Sequence, residues 1–421
     1  MTFTPPKSLA LALAIAAALA ACQRSEAPVA SAPPPPAKPL IDLAQLKTPV
    51  SSFKASDLDT SVSACSDLNA HVNSSWLAAN PVPADRTTWG SFELLQERSL
   101  EIQQKLVENL AAKTDTSGTE KLIGDVWATG MDEAAINAAG LAPIQPILDQ
   151  IAALTDGPAI AEWLRQSHTK GQGLVFGFGP SPDFKNSSMN IAYAGQGGLG
   201  LPDREYYFDD KYASEREAYV AHIANILTLA GADAAAAAEQ AKAVMAFETR
   251  LAKVSMSSEE LSRDVSKYYN PVSIDEADAL TPNFVWSAFF DAHGLERPAM
   301  FSLAQPDFHK EVSAMLTDVP VGDWQTYLRF HEIDSAAPFL SDAFAEENFN
   351  FYGKTLRGQQ EMQARWKRVL NTINAQMGEA LGQLYVDVAF PPESKLRMQE
   401  LVGNLSEALK HRIENLEWMG D

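Results

Sequence analysis

Metal-assisted hydrolysis commonly relies on two histidines one helical turn apart, with a glutamate between them as general base. The chain carries seven histidines: His71, His168, His222, His293, His309, His331 and His411. The nearest two, His293 and His309, stand 16 residues apart, so no pair shares a turn of helix. His331-Glu332 opens the pattern, but Ser335 stands where the second histidine belongs. His293-Gly294-Leu295-Glu296-Arg297 opens the inverted order and ends in arginine. A metal site needs its whole ligand set, so no catalytic residue and no metal ligand is assigned, and no metal is expected on these 421 residues. Glu205/Asp209 and Glu260/Asp264 are carboxylate pairs at a spacing too common to carry weight. There is no Gly-x-Ser-x-Gly elbow, and the two cysteines, Cys22 and Cys65, cannot form a Cys-x-x-Cys pair.

The other stretch with chemical promise is glycine-rich. Gly195, Gly197, Gly198 and Gly200 precede Leu201-Pro202-Asp203-Arg204. A phosphate cradle requires a helix N-terminus after the glycines and usually a Gly-Lys-Ser/Thr ending. Neither is present, so the run reads as a tight structural turn. Upstream, the apolar and aromatic residues of 174–178 and 189–193 flank turn-formers and predict two short strands in a hairpin near 173–195.

Hydrophobic residues make up 46% of the chain and charged residues 21%, as in ordinary globular proteins. A net charge of −21 argues against a nucleic-acid partner, because phosphate binding needs a basic face. Residues 1–21 read as a signal peptide: Lys7 is the only charge, and the apolar run from Leu9 to Ala21 is too short to span a bilayer. The run ends in Leu19-Ala20-Ala21-Cys22, which is similar to a bacterial lipobox with Cys22 as the acylated N-terminus. An ordinary signal peptide with a chance cysteine is the alternative. Gln23 rather than Asp follows, which favours the outer membrane, facing the periplasm, of a Gram-negative envelope. Residues 22–45, with Pro28, Pro33 to Pro36 and Pro39, form an extended tether. Residues 46–421 form the folded body. Cys65 is then a lone cysteine, either a buried free thiol or one whose partner lies outside this chain.

The body reads as mainly α. Ile102, Leu106 and Leu110 predict a helix running to about Ala112, with Ser91 able to cap it. Ile123, Val126, Trp127 and Met131 predict another, ending at Gly130. Residues 213–255 read as two helices separated by Gly231, the second capped by Asp233, with Glu248 and Arg250 solvated near its end. Further helices are expected at 324–334, 343–352, 359–388 and 391–418, the last with Leu401, Leu405, Leu409 and Ile413 on one row. Residues 80–83, Asn-Pro-Val-Pro, mark a loop. The tryptophans from Trp89 to Trp418 read as core rather than as ligand platforms.

Ordered markers then carry a resemblance. They include Cys65-x-Asp67 with Val72-Asn73 and Trp76, Asn80-Pro-x-Pro-x-Asp85-Arg86 with Trp89-Gly-Ser-Phe92, and Asp183-x-Lys185-Asn186 with Gln196-x-Gly-Leu-Gly-Leu-Pro202-Asp203-Arg204. Glu260 with Arg263-Asp264, Tyr269-Asn270, Arg365-Trp366-Lys367, Gly382-x-Leu-Tyr385-Val386 and Glu414-Asn-Leu-x-Trp418-Met419 follow. From about Asp57 onward the chain resembles the N-terminal region of the neprilysin and endothelin-converting-enzyme family of zinc metallopeptidases.

The resemblance implies a helical domain that covers a catalytic cleft and restricts it to short peptides. In that family the zinc ligands lie beyond the Trp418-Met419 block, so zinc would belong to a further domain and the chain alone would be inert. It also implies that Cys65 pairs with a cysteine near the family's C-terminus. Thr88 stands where neprilysin has an arginine that helps hold a substrate carboxylate, so no strong preference for C-terminal dipeptides is implied. Thr88 and Glu93 are the residues expected to face the cleft. A non-catalytic envelope lipoprotein that binds peptides or a partner is the alternative. Replacing Cys22 by serine is expected to remove the acyl mass from the mature N-terminus and to move the protein from the detergent to the aqueous phase. An unmodified Cys22 in the native protein would leave residues 1–21 as an ordinary signal peptide.

Overall fold

The computed structural model describes residues 41–48 and 53–419. Cys22, the signal peptide and most of the tether lie outside the described residues. The chain divides into two compact units, one of residues 43–386 and one that includes residues 387–421.

In the larger unit, helices form where apolar residues repeat every three to four positions. The Ser91–Ala112 helix buries Leu100, Ile102, Leu106, Val107 and Leu110 and packs on the Gly118–Met131 helix, which buries Ile123 and Trp127. Ala213–Leu229 and Ala234–Val254 form an antiparallel pair, turned by Gly231 at φ 96°. Asp233 caps the second helix by accepting from the N–H groups of Ala235 and Ala236. Tyr219, Ile223, Ile226 and Leu227 from the first helix and Val244, Phe247 and Leu251 from the second meet the Val321–Ala336 helix, which contributes Trp324, Tyr327, Leu328 and Ile333. Phe247 stacks on Tyr327 with ring centroids 4.0 Å apart. Fully burying each such side chain stabilises by about 1.5–3 kcal/mol, which makes this three-helix contact the centre of the fold.

The predicted hairpin is present and belongs to a larger sheet of order β1-β2-β4-β3. Strands β1, Phe176–Asp183, and β2, Asn186–Gln196, pair antiparallel from Phe176 opposite Gln196 to Pro182 opposite Asn190. Strand β3 is Pro271–Val272 and β4 is Phe301–Leu303. β4 runs parallel to β2, with Ala194 opposite Leu303, and antiparallel to β3. Just after β4, Gln305 sits at φ 49°, uncommon for a residue with a side chain. Its carboxamide offsets that strain: Oε1 accepts from the Gln196 N–H at 3.2 Å and Nε2 donates to the Lys267 carbonyl at 2.9 Å.

Several expectations are corrected. Gly90, not Ser91, occupies the cap position of the Ser91–Ala112 helix, and no side chain caps it. Residues 68–79 form a helix capped by Asp67, whose carboxylate accepts from the Ala70 N–H; its apolar residues are too scattered to announce it. Glu248 is not solvated but fully buried, for reasons given below. Arg250 pairs with Glu311 and Asp318. Trp286 and Trp324 are core, whereas Trp418 is 77% exposed.

In the smaller unit, the Pro392–Glu414 helix follows Pro391, and its row of Leu401, Leu405, Leu409 and Ile413 is exposed.

Gly200 meets a hard packing limit: a Cβ built there would lie 1.8 Å from the Tyr219 hydroxyl oxygen. Gly195 has ordinary room, its nearest neighbour being Gln305 Oε1 at 3.6 Å. Gly200→Ala is therefore expected to lower unfolding free energy by about 1–3 kcal/mol, and Gly195→Ala by much less, measured by urea denaturation. Equal midpoints for the two variants would contradict this packing account.

Candidate functional site

The residues expected to face a cleft lie at the start of the Ser91–Ala112 helix. Thr88 Oγ1 donates to Glu93 Oε1 at 3.0 Å, so the two form one polar point. Glu93 lies in the first helical turn, where a carboxylate is favoured by the helix dipole. Phe92 and Leu95, three residues apart, present large apolar side chains to solvent beside it. Apolar surface next to a carboxylate suits an extended peptide better than it suits an anion.

This corner is held from a distance. The prolines at 81 and 83 deprive the preceding loop of two backbone donors. The Ala84 carbonyl instead accepts from the N–H groups of Gln360 and Glu361 at 3.1 and 2.9 Å. Arg86 pairs with Glu97, and Lys367 Nζ lies 3.0 Å from Glu97 and 3.2 Å from Asp85. Asn374 Nδ2 donates to Gln103 Oε1 at 2.7 Å, tying the same helix to the Arg365–Ala389 helix. Arg365 donates through Nε to the Gly130 carbonyl at 2.9 Å.

Each buried histidine has a structural occupation. Burial pushes His168 and His309 down to about 4; the His168 ring stacks on Phe176, and His309 lies 3.2 Å from the Ala194 carbonyl. His222 is also buried, which opposes its charge, but hydrogen bonds to Asp334 at 2.9 Å and Glu347 at 3.0 Å win and raise it above the usual imidazole range. His331 Nε2 lies 2.9 Å from Glu248, and His293 Nδ1 lies 2.8 Å from the Phe289 carbonyl. Among the described residues no three His, Cys, Asp or Glu side chains are grouped to hold a metal ion. Cys65 is free and exposed, which removes the buried-thiol reading.

Two groups were missed from the sequence. Glu248 is fully buried, where it accepts from the Gly200 N–H at 3.0 Å and from the Tyr207 and Tyr219 hydroxyls at 2.5 and 2.8 Å. Glu332 is 4% exposed, and its Oε1 has no hydrogen-bond partner among the described residues. A glutamate among Val244, Met245, Leu251 and Ala252 was the available signal for Glu248; Glu332, with Arg329 and Ser335 one turn away, carried none.

The family model described as peptidase family M13 matches residues 64–421, and the chain belongs to that family. Its sequence is 28% identical over 386 residues to endothelin-converting enzyme-like 1 of Rattus norvegicus, covering 87% of this chain and 49% of the relative. It is 25% identical over 385 residues to neprilysin-3 of Drosophila melanogaster, covering 86% and 49%. The chain thus spans about half the length of these relatives. Its fold is similar to the Mycobacterium tuberculosis zinc metalloprotease ZMP1 in complex with an inhibitor, with a TM-score of 0.79 and 32% identity over 87% of this chain and 56% of that one. PepO from Lactobacillus rhamnosis shares the fold at a TM-score of 0.73 and 22% identity, over 84% and 56%.

Burial pushes the Glu332 carboxyl up to about 7, with His331 and Lys170 opposing it. The folded chain therefore holds a proton there that the unfolded chain releases near its ordinary value of 4.5. Stability from this group is full below 4.5 and is lost as pH rises through about 7, a cost of roughly 3 kcal/mol at most. Glu332→Gln is expected to gain roughly 1–3 kcal/mol at pH 8 and nothing at pH 4, read from paired denaturation curves. A gain of equal size at both pH values would refute the burial argument.

Proposed function

We propose that this chain supplies the cleft-covering, size-restricting part of a zinc metalloendopeptidase that acts on short peptides, and that it is inert on its own. The carrying observation is the likeness, across 87% of this chain, to a zinc metalloprotease in complex with an inhibitor. In this reading Thr88 and Glu93 lie on the wall that a peptide passes, and Phe92 and Leu95 give that wall its apolar surface. Zinc, held by a region outside residues 1–421, would polarise the scissile carbonyl and lower the pKa of a bound water. This chain's own contribution is access and orientation: a rigid wall admits a flexible short chain and excludes a folded one. The protein is anchored at the cell envelope by lipid on Cys22.

A second reading keeps the same fold as a non-catalytic binding lipoprotein. The continuous buried core spanning residues 148–351 favours it, because such a core can fold without further domains.

A quenched fluorescent heptapeptide separates the two. The first reading expects no zinc-dependent cleavage by the 421-residue chain, and cleavage when the gene's full reading frame, or a separately encoded zinc-bearing half, is co-expressed with it. Cleavage by the chain alone refutes its inertness. A native protein whose mass matches the short chain, with no complementing half found, replaces the first reading with the second.

A further inference from the structure

A cavity of about 450 Å³ lies where the Val321–Ala336 helix meets the Gln145–Ala152 helix and the turn after Thr169. That volume falls within the range of about 300–1,000 Å³ typical of small-molecule sites. Ile144, Pro146 and Ile147 give it an apolar wall. Glu332 and Gln172 also line it, and in each the side-chain Oε1 is buried without a hydrogen-bond partner among the described residues. The exposed Lys170 lines it too, and forms no ion pair among the described residues.

Two buried acceptors left without a donor each cost about 1–3 kcal/mol, so a donor entering the cavity has a sizeable stabilisation to collect. An ammonium brings three donors, with a positive charge, to a carboxyl whose Oε1 lacks a donor among the described residues. A metal ion would find one carboxylate here and, among the described residues, no group of three His, Cys, Asp or Glu side chains to complete its shell, and an anion would be repelled by Glu332. Lys170 adds an exposed cation for a carboxylate, and the apolar wall adds room for a hydrocarbon side chain.

We infer that this cavity binds a small zwitterion with an apolar side chain, a free α-amino acid or a dipeptide, its ammonium on Glu332 and Gln172 and its carboxylate on Lys170. The inference does not depend on the peptidase reading. The ligand's ammonium favours the ionised carboxyl, which His331 on its own helix and Lys170 across the cavity face as well. With Glu332 titrating at about 7, affinity should rise about tenfold between pH 6 and pH 8.

The test is calorimetry on the full chain with L-leucine, isoamylamine and 4-methylpentanoate, each to about 10 mM. Leucine is expected to bind, isoamylamine to bind several-fold more weakly, and 4-methylpentanoate, which lacks the ammonium, to give no heat. Lys170→Ala, at an exposed position, should remove the advantage of leucine over isoamylamine without weakening isoamylamine. Glu332→Gln should weaken leucine at least tenfold and abolish the pH dependence. Absence of leucine binding, 4-methylpentanoate binding as tightly as leucine, or an unchanged Glu332→Gln variant would each overturn the inference.

Discussion

The architecture depends on one buried carboxylate. Taking Glu248 out of water costs several kcal/mol unless its oxygens are met by donors. Four groups from four separate stretches meet them: the Gly200 backbone, Tyr207, Tyr219 and His331. Burial and the Glu248 charge push both phenols well above their usual range, so they stay protonated and keep donating. One side chain thus fixes the glycine-rich turn, the 3-10 turn after it and two helices against the Ala234–Val254 helix. It also explains the glycine at 200, since a Cβ there would occupy the space of the hydroxyl that Glu248 needs.

A second network uses the same two helices one turn further on. His222 lies three residues after Tyr219, and Asp334 three residues after His331. His222 pairs with Asp334, which also accepts from the Tyr352 hydroxyl at 2.7 Å and the Asn348 carboxamide at 3.1 Å. Burial works against the Asp334 charge, but its bond to His222 prevails and holds it below the usual carboxylate range. Helices that touch at residues three apart offer two successive points of contact, and both points here are filled by charge and hydrogen bonds rather than by methyl groups. Polar contacts of this kind have fixed partners and directions, so they set register as well as contact.

These networks show why the sequence was legible only in part. The Ser91–Ala112, Ala213–Leu229 and Ala234–Val254 helices follow from apolar spacing, and the β1-β2 hairpin from alternation around turn-formers. β4 is three residues long and pairs with β2 more than a hundred residues away, which no local pattern announces. Glu248 looked solvated because its partners are scattered from 200 to 331. The markers that suggested the family are scaffold contacts: Tyr269 donates to Asp183 at 2.7 Å, Asp203 accepts from the Ser258 N–H at 2.7 Å, and Lys367 meets Asp85. Thr88 and Glu93 do touch, but the lipid anchor at Cys22 stays a reading of sequence alone.

The same contacts bear on how the candidate wall is positioned. The segment from Asn80 to Trp89 has no helix or strand to hold it, and its prolines cannot join a backbone ladder. Its place is therefore set from the far end of the chain, by Gln360, Glu361 and Lys367. A loop pinned to a long helix holds its place better than one held by its own turns. The loop before Thr88 and the helix that carries Glu93 are thus tied through Asp85 and Glu97 to Lys367, 270 residues beyond Glu97.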